Sequence, residues 1–272
     1  MTVITIDPER CTQDGHCVAE CPPQIIKLES DVPFITREME EFCIDCGHCV
    51  AVCPAEALSL ETLSPADCLP VNKAIQLSEE QAEQFLRSRR SIRTYKDKKV
   101  DRAILQKLFD LARHAPTGSN KQPVQWLVIE SSEDVQKIAG MVIDWMRETI
   151  KYDPELAAEM KFERIVASHE AGEDRICRNA PHLAFAYADT SFSNPQTDCV
   201  IALTYLELFI PALGLGGCWG GYINRAINNW PPLQQFLDFP ENTESHGVMM
   251  IGYPRYRYFR MPLRKEALVV WH

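Results

Sequence analysis

The chain has 272 residues, 46% of them hydrophobic and 24% charged, with a formal net charge of −10; this suffices for one large domain or two unequal ones with filled cores. An acidic balance argues against a nucleic-acid partner. The N-terminal "MTVITIDPERC" lacks the basic and apolar regions of a secretory signal, and no uninterrupted apolar run reaches about 18 residues, so no membrane partner is expected and the expected location is cytoplasmic.

Residues 1–61 contain a repeat. "CTQDGHCVAECP" (11–22) returns as "CIDCGHCVAVCP" (43–54), with Asp14 standing where the second copy has Cys46. Each copy is preceded by a predicted short strand ("VITID", "FITRE") and followed by a small helix and strand after its closing Cys-Pro ("PPQIIKLES", "PAEALSLET"). The segment holds twelve acidic residues against Arg10, Lys27 and Arg37, so most of the net charge is here. Seven of the eleven cysteines fall in the two phrases, which suits metal binding in a reducing compartment better than a disulfide framework. Cys68, Cys177, Cys199 and Cys218 are scattered and read as small buried hydrophobes. "TLSPADCLPVN" has two prolines and no apolar periodicity, so residues 62–77 read as a linker.

Helical and strand patterns mix over residues 78–272. Ser78 and Gln81 form a capping box at the start of a helix, "VDRAILQKLFDLARHA" carries helical spacing, and "VQWLVIE", "HLAFAYA" and "HGVMMIGYP" are short β-rich runs. "TDCVIALTYLELFIPALGLGG" approaches membrane length, but Asp198, Glu207 and Pro211 favour a helix buried in the fold or between subunits. "MVIDWMRETIKYDPELAAEMKFERIVASHEAGEDR" is expected to be helical and carries no chemical signature.

The spacing C-x2-C-x2-C-x3-C-P at Cys43, Cys46, Cys49 and Cys53 suits a cubane iron–sulfur cluster. A tight loop points three sulfurs at one cluster while the next cysteine points at another. Zinc is the alternative, disfavoured by the third cysteine and the Cys-Pro ending in duplicate. On these phrases the segment resembles a two-cluster bacterial-type ferredoxin. The resemblance implies crossed ligation, with Cys43, Cys46, Cys49 and Cys21 on a [4Fe–4S] cluster, and Cys11, Cys17 and Cys53 on the other with Asp14 at its fourth corner. A carboxylate is a harder, weaker partner for iron than thiolate, so the fourth iron is expected to be Asp-ligated, exchangeable or absent, the last giving [3Fe–4S]. His16 and His48, equivalent in the repeat, read as loop packing or hydrogen-bond donors.

"RSRRSIRTY" places Arg89, Arg90, Ser91 and Arg93 just past a predicted helix, where they suit a phosphate as well as a solvated helix end. "HAPTGSNKQPVQWLVI" makes a polar turn, "GLGGCWGGYI" follows the long apolar segment, and "IGYPRYRYFRMPLRK" lies near the C-terminus. In this order the four stretches resemble the FMN-dependent nitroreductase family across 78–272. The resemblance implies an α+β fold, a sheet with flanking helices, in an obligate homodimer with two FMN sites at the interface. It assigns Arg89, Arg90, Ser91 and Arg93 to the phosphate and ribityl end, joined by Arg260, with Arg255, Arg257 and Arg264 as competitors. It assigns Pro116, Thr117, Gly118, Asn120 and Gln122 to a turn reaching the flavin across the interface. Trp219, Gly220 and Gly221 fall to the backbone near flavin N5 and O4, where glycine lets main chain approach a flat ring. A helix C-cap is the plainer reading of those glycines. "GLGGCW" has Trp219 where a dinucleotide fingerprint requires its last glycine, so NAD(P)H is expected only as a transient donor.

The two resemblances imply an FMN oxidoreductase whose clusters relay single electrons to or from the flavin. Its acceptor is a small organic molecule such as a nitroaromatic, quinone or activated alkene, and no side chain is singled out as proton donor. The rivals are an NAD(P)H-dependent nitroreductase with structural clusters, and a redox sensor or electron carrier without a dedicated small substrate. Dehalogenation and flavin breakdown are further chemistries among the family's relatives. The acidic N-terminal segment implies that an external electron-transfer partner presents a basic patch.

Overall fold

A computed structural model describes residues 3–29 and 32–272. Ser30, at the end of the first copy's trailing segment, lies outside the described residues. The chain divides into two compact units: residues up to Gln76 with Ser119–Lys121, and Leu77–Gly118 with Gln122–His272.

In the first unit the elements are β1 (Ile4–Ile6), α1 (His16–Ala19), α2 (His48–Val52) and β2 (Leu58–Leu60). β1 and β2 pair antiparallel, Ile4 opposite Leu60 and Ile6 opposite Leu58. The two helices lie inside the cysteine phrases, not after the closing Cys-Pro as the sequence pattern suggests. The reason is local: Gly15 (φ 72°) and Gly47 (φ 71°) adopt the left-handed conformation as N-caps, so the helical turn starts before the last cysteine. "FITRE" is likewise not a strand. Only Phe34 pairs, with Lys27, and Arg37–Phe42 winds into a 3-10 turn. The core is Ile4, Ile25, Ile26, Val50, Leu58 and Leu60, packed with Cys17, Cys21 and Cys49. A core of that size gives a small fold little stability unaided, and a bound metal group is the usual staple.

The second unit runs α3 (Glu79–Ser88), α4 (Arg102–Ala112), β3 (Gln125–Ile129), α5 (Ser132–Tyr152), α6 (Pro154–Met160), α7 (Phe162–Glu170), β4 (His182–Asp189), α8 (Pro195–Phe209), β5 (Gly216–Trp219), α9 (Gly221–Ile227), α10 (Pro231–Leu237) and β6 (Thr243–Gly252). Ser78 caps α3 as expected: Gln81 N–H donates to its hydroxyl at 3.2 Å and Ser78 N–H to Gln81 Oε1 at 3.0 Å. The strands form one antiparallel sheet in the order β3-β4-β6-β5. Alternation along β4 and β6 sends Leu183, Phe185, Val248 and Met250 into a core with α5, α7, α9 and α10. Ala184, Ala186, Met249 and Ile251 meet α4 and α8 on the other face. This is the α+β arrangement the sequence implies, helices covering both faces of a sheet.

One feature agrees with the sequence reading and one departs from it. Pro195–Leu213 is long and apolar enough to cross a membrane, but Cys199, Ala202, Leu203 and Leu206 are buried, and α8 packs on β4 and β6. The glycines after it are more than a helix cap. Gly214 (φ 69°) does end the helical segment, yet Gly216–Trp219 then pairs with β6 as an edge strand.

Candidate functional site

Two small cavities in the first unit partition the cysteines. Cys21, Cys43, Cys46 and Cys49 line one; Cys11, Cys17, Cys53 and Asp14 line the other. Each copy of the repeat therefore lends its last cysteine to the cavity of the other. Among the described residues no three His, Cys, Asp or Glu side chains converge as ligands of a single metal ion. In a cluster, separate irons each take one sulfur. Burial pushes the Cys49 thiol up to about 11 and raises Cys17 and Cys43 as well. Thiols held this way ionise against a cationic metal, so the donor set fits iron–sulfur clusters. Cys53 Sγ also accepts the Ala57 N–H at 3.3 Å.

Asp14 differs from the cysteine it replaces. Its Oδ1 accepts the His16 N–H at 3.0 Å and its Oδ2 the Thr12 hydroxyl at 2.8 Å. Those two bonds, the backbone one first, hold its carboxyl below the ordinary value. The carboxylate lines the cavity while its own loop tethers both oxygens.

In the second unit a cavity of about 530 Å³ opens where α3 and α8 end and the chain returns after β6. Its charged lining is Arg89, Arg90, Lys96, Arg255, Arg257 and Glu207. The segment after α3 is tied down by Ile92 N–H to Gly217 O at 2.8 Å and Lys96 N–H to Tyr253 O at 2.8 Å. Arg255 N–H in turn donates to Thr94 O at 3.0 Å. Arg89 Nη1 lies 2.7 Å from Glu207 Oε1, and Trp219 Nε1 donates to Glu207 Oε2 at 3.0 Å. Arg90 Nη1 bonds the carbonyls of Arg87 and Arg89, while its buried Nε has no partner.

Packing accounts for three of the glycines from β5 to the start of α9, of which Gly216 and Gly217 line this cavity. A Cβ on Gly216 would lie 2.5 Å from Ile92 Cγ1, on Gly217 2.8 Å from Ile210 Cδ1, and on Gly220 2.8 Å from Val248 Cγ1. Gly221 is different, with nothing within 4 Å of its added Cβ. Ser91 and Arg93 group with Cys218, whose thiol is raised by burial against the opposing charges of Arg93 and Arg178. Arg260 is exposed and does not line the cavity; Arg255 and Arg257 do. A buried guanidinium nitrogen without an acceptor, in a cavity also lined by Lys96, Arg255 and Arg257, which join no ion pair among the described residues, fits a ligand with a phosphate.

The polar turn lies elsewhere. Thr117 and Gln122 line a separate cavity of about 200 Å³ with Phe109, Arg113 and Trp126. Gly118 N–H donates to Asp198 Oδ1 at 3.1 Å and Gln122 N–H to Thr117 Oγ1 at 3.0 Å; Pro116 is exposed. Ser119, Asn120 and Gln122 all adopt left-handed backbone, at φ 49°, 54° and 47°. Within the first unit, Asn120 Nδ2 donates to the Asp45 and Ile44 carbonyls at 2.9 and 3.2 Å.

The nitroreductase family model matches residues 86–253, more than half of the chain. The chain belongs to the nitroreductase family. It is a flavin-dependent oxidoreductase by that membership, and its residues 3–54 match a 4Fe-4S dicluster domain. A protein of Archaeoglobus fulgidus described as NADH dehydrogenase/NAD(P)H nitroreductase is 25% identical over 181 residues, 65% of this chain and 87% of that one. A protein of Methanothermobacter thermautotrophicus with the same description is 24% identical over 173 residues, 62% of this chain and 75% of that one. Among solved structures, a nitroreductase with bound FMN from Desulfitobacterium hafniense superposes with a TM-score of 0.58 at 21% identity. That likeness, in fold, covers 72% of this chain and all of the other.

Sequence reasoning missed some of the residues that hold the candidate site of the nitroreductase-family unit together. Glu207 and Asp198 are buried carboxylates on α8 that hold, respectively, Arg89 with Trp219 and the Gly118 backbone. Their signal was present, two acids in an otherwise apolar helix. Arg178 gave no signal; it is brought to Cys218 by a loop in which Asp174 accepts three backbone N–H groups, from Ile176, Cys177 and Asn179.

Proposed function

We propose that the chain is an FMN-dependent oxidoreductase reducing a small organic acceptor, a nitroaromatic, quinone or activated alkene, with two iron–sulfur clusters exchanging single electrons with the flavin. The observation that carries this reading is the union, in one chain, of two crossed cysteine cavities with a nitroreductase-family unit. FMN supplies two-electron chemistry that can be filled one electron at a time. On this reading the cationic cavity takes the phosphate, Ser91 and Arg93 the ribityl end, and Trp219, Gly220 and Gly221 present backbone to the ring. Cys21, Cys43, Cys46 and Cys49 hold a [4Fe–4S] cluster. Cys11, Cys17 and Cys53 hold the second, where tethered Asp14 leaves the fourth iron labile or absent. The turn from Pro116 to Gln122 serves the flavin of a second copy in a homodimer, which would also cover Val200 and Tyr205, half exposed on α8. Seven of eleven cysteines grouped in two metal-binding phrases support a cytoplasmic location, and the acidic first segment an external donor with a basic patch.

The names of the two archaeal relatives favour a second reading, an NAD(P)H-dependent nitroreductase whose clusters are structural. Absorption and paramagnetic-resonance spectra of protein purified without oxygen test the cofactors. Rapid mixing then separates the readings. A cluster-free variant whose flavin is reduced by NAD(P)H at full speed, with normal product formation, excludes the relay. Cluster and flavin reduction without turnover of any small acceptor would instead indicate an electron carrier or sensor.

A further inference from the structure

The two copies of the repeat differ in what holds the loop after their first cysteine. Gln13 and Asp45 occupy equivalent positions and both are left-handed, at φ 57° and 50°. The carbonyls of Thr12 and Gln13 accept no hydrogen bond among the described residues. Those of Ile44 and Asp45 each accept one from Asn120 Nδ2, at 3.2 and 2.9 Å, which spends both hydrogens of one amide on one loop. The Thr62 hydroxyl donates to the Asp45 carboxylate on the same loop. Ile44, Cys46 and Gly47 line the all-cysteine cavity, so the clamp grips the wall of one metal site and has no counterpart at the other. Asn120 lies outside the cysteine repeat, 75 residues beyond Asp45. The chain leaves the second unit after Gly118, spends Ser119–Lys121 in the first and resumes the second at Gln122. Gly118 N–H is held by Asp198 and Gln122 N–H by Thr117. Between them Ser119 and Asn120 are left-handed, a backbone that persists in residues other than glycine only when its surroundings hold it.

We propose that Asn120 is a positioning residue that couples the two kinds of cofactor site: its amide ties the Pro116–Gln122 turn to the loop of the all-cysteine cluster, so that loading of this cluster, and not of the one beside Asp14, strengthens flavin binding. The inference rests on the FMN reading above and adds to it a distinction between the clusters. Thiolates closing on one cluster fix the loop from Cys43 to Cys49, the loop fixes Asn120, and Asn120 fixes the turn that serves the flavin. An emptied site releases the loop, and flavin binding then bears the cost of ordering the turn. The coupling is reciprocal, so bound flavin helps to retain the cluster. In the proposed homodimer the coupled flavin is the one bound to the second copy.

The test measures FMN dissociation constants by anaerobic equilibrium dialysis of the full-length chain, with each cluster counted from iron content and its paramagnetic-resonance signal. Cys43→Ala and Cys11→Ala are matched variants at equivalent, partly exposed positions, each taking one ligand from one cluster. Cys43→Ala should weaken FMN by about fivefold or more and Cys11→Ala by less than about twofold. Asn120→Asp keeps the shape of the side chain and its tolerance of left-handed backbone, but turns an acceptor toward two carbonyls. It should cancel the effect of Cys43→Ala: Asn120→Asp alone and the double variant should bind FMN within about twofold of each other, whatever their absolute affinity. That ratio separates coupling from any direct contact of Asn120 with the flavin. A full effect of Cys43→Ala surviving in Asn120→Asp overturns the proposal, as does equal weakening by Cys11→Ala and Cys43→Ala, or none by either. A second measurement needs no variant to fold. FMN added to the wild type should protect the all-cysteine cluster's signal against an iron chelator and leave the decay of the other unchanged; equal protection of both, or of neither, overturns the proposal. A wild type that binds FMN without this coupling keeps the FMN reading and sinks the role of Asn120, whereas one that binds no FMN refutes that reading and the coupling with it.

Discussion

Gly216→Ala and Gly221→Ala should fail in opposite ways. At Gly216 the added Cβ would lie 2.5, 2.8 and 2.9 Å from Ile92 Cγ1, Cβ and Cγ2. Carbon atoms rest about 3.5–4.0 Å apart, so roughly 1 Å must open against a residue whose N–H is bonded to Gly217 O. Overpacking of this kind costs about 1–3 kcal/mol. The stiffer unfolded chain returns about 0.4–1 kcal/mol. For a unit of this size the remainder lowers Tm by about 2–8 °C. At Gly221 nothing lies within 4 Å and φ is not left-handed, so Gly221→Ala should leave Tm unchanged or slightly raised. It should nevertheless weaken FMN by about tenfold or more, because the methyl group intrudes where backbone must meet the ring. Calorimetry on the flavin-free chain and fluorescence titration with FMN measure the two effects. A Gly221→Ala variant that melts several degrees lower yet binds FMN normally would refute the reasoning, as would an unaffected melting point for Gly216→Ala.

Three further outcomes follow from particular residues. Asp14→Cys should convert the second cluster into an all-thiolate four-iron cubane, raising the iron count and leaving the signal of the other cluster unchanged. Two ordinary thiolate-ligated cubanes in the wild type would contradict the predicted asymmetry. His182, buried with its Nε2 accepting the Val100 N–H at 2.9 Å, has its pKa lowered by burial. The unfolded chain therefore binds that proton first, and stability is present above the ordinary value of about 6.5 and lost as pH falls toward the folded value. Urea midpoints at about pH 7.5 and 5.5 should fall further for wild type than for His182→Gln, and equal falls would dismiss His182 as the cause. Finally, reduction by a basic protein donor should slow as salt rises; a rate that increases with salt would rule out an acidic docking face.

How far the fold and site could be read beforehand depended on whether a residue's cause lay near it in sequence. The capping box at Ser78, the helical spacing of α4 and the runs of β3, β4 and β6 are local causes, and they appear where the pattern puts them. The grouping of Cys21 with Cys43, Cys46 and Cys49 is long-range, but the resemblance of the repeated phrase to a two-cluster ferredoxin implies it. β5 was invisible for the opposite reason. Its glycines look like a helix stop, and what makes them a strand is distant packing against Ile92, Ile210 and Met249. The contact of Arg89 was hidden for the same reason. Its partner is 118 residues away, and no spacing rule joins Arg89 to Glu207.

The two buried acids of α8 also bear on how many copies of the chain make a complete site. Asp198 and Glu207 are nine residues apart, about 13 Å along the axis and roughly half a turn around it. Asp198 holds the start of the polar turn through Gly118 N–H, while Glu207 holds Arg89 and Trp219 at the cavity with the unpaired arginines. On the proposed FMN reading, the two ends of one helix would thus anchor two pieces of a flavin site facing opposite ways. That arrangement is the one the proposed homodimer calls for, in which a second copy would supply the turn to the first copy's cavity. Sedimentation of Asp198→Ala tests this. With its turn released, the variant should dimerise as wild type does yet bind FMN more weakly, and normal binding would disconnect the Pro116–Gln122 turn from the flavin.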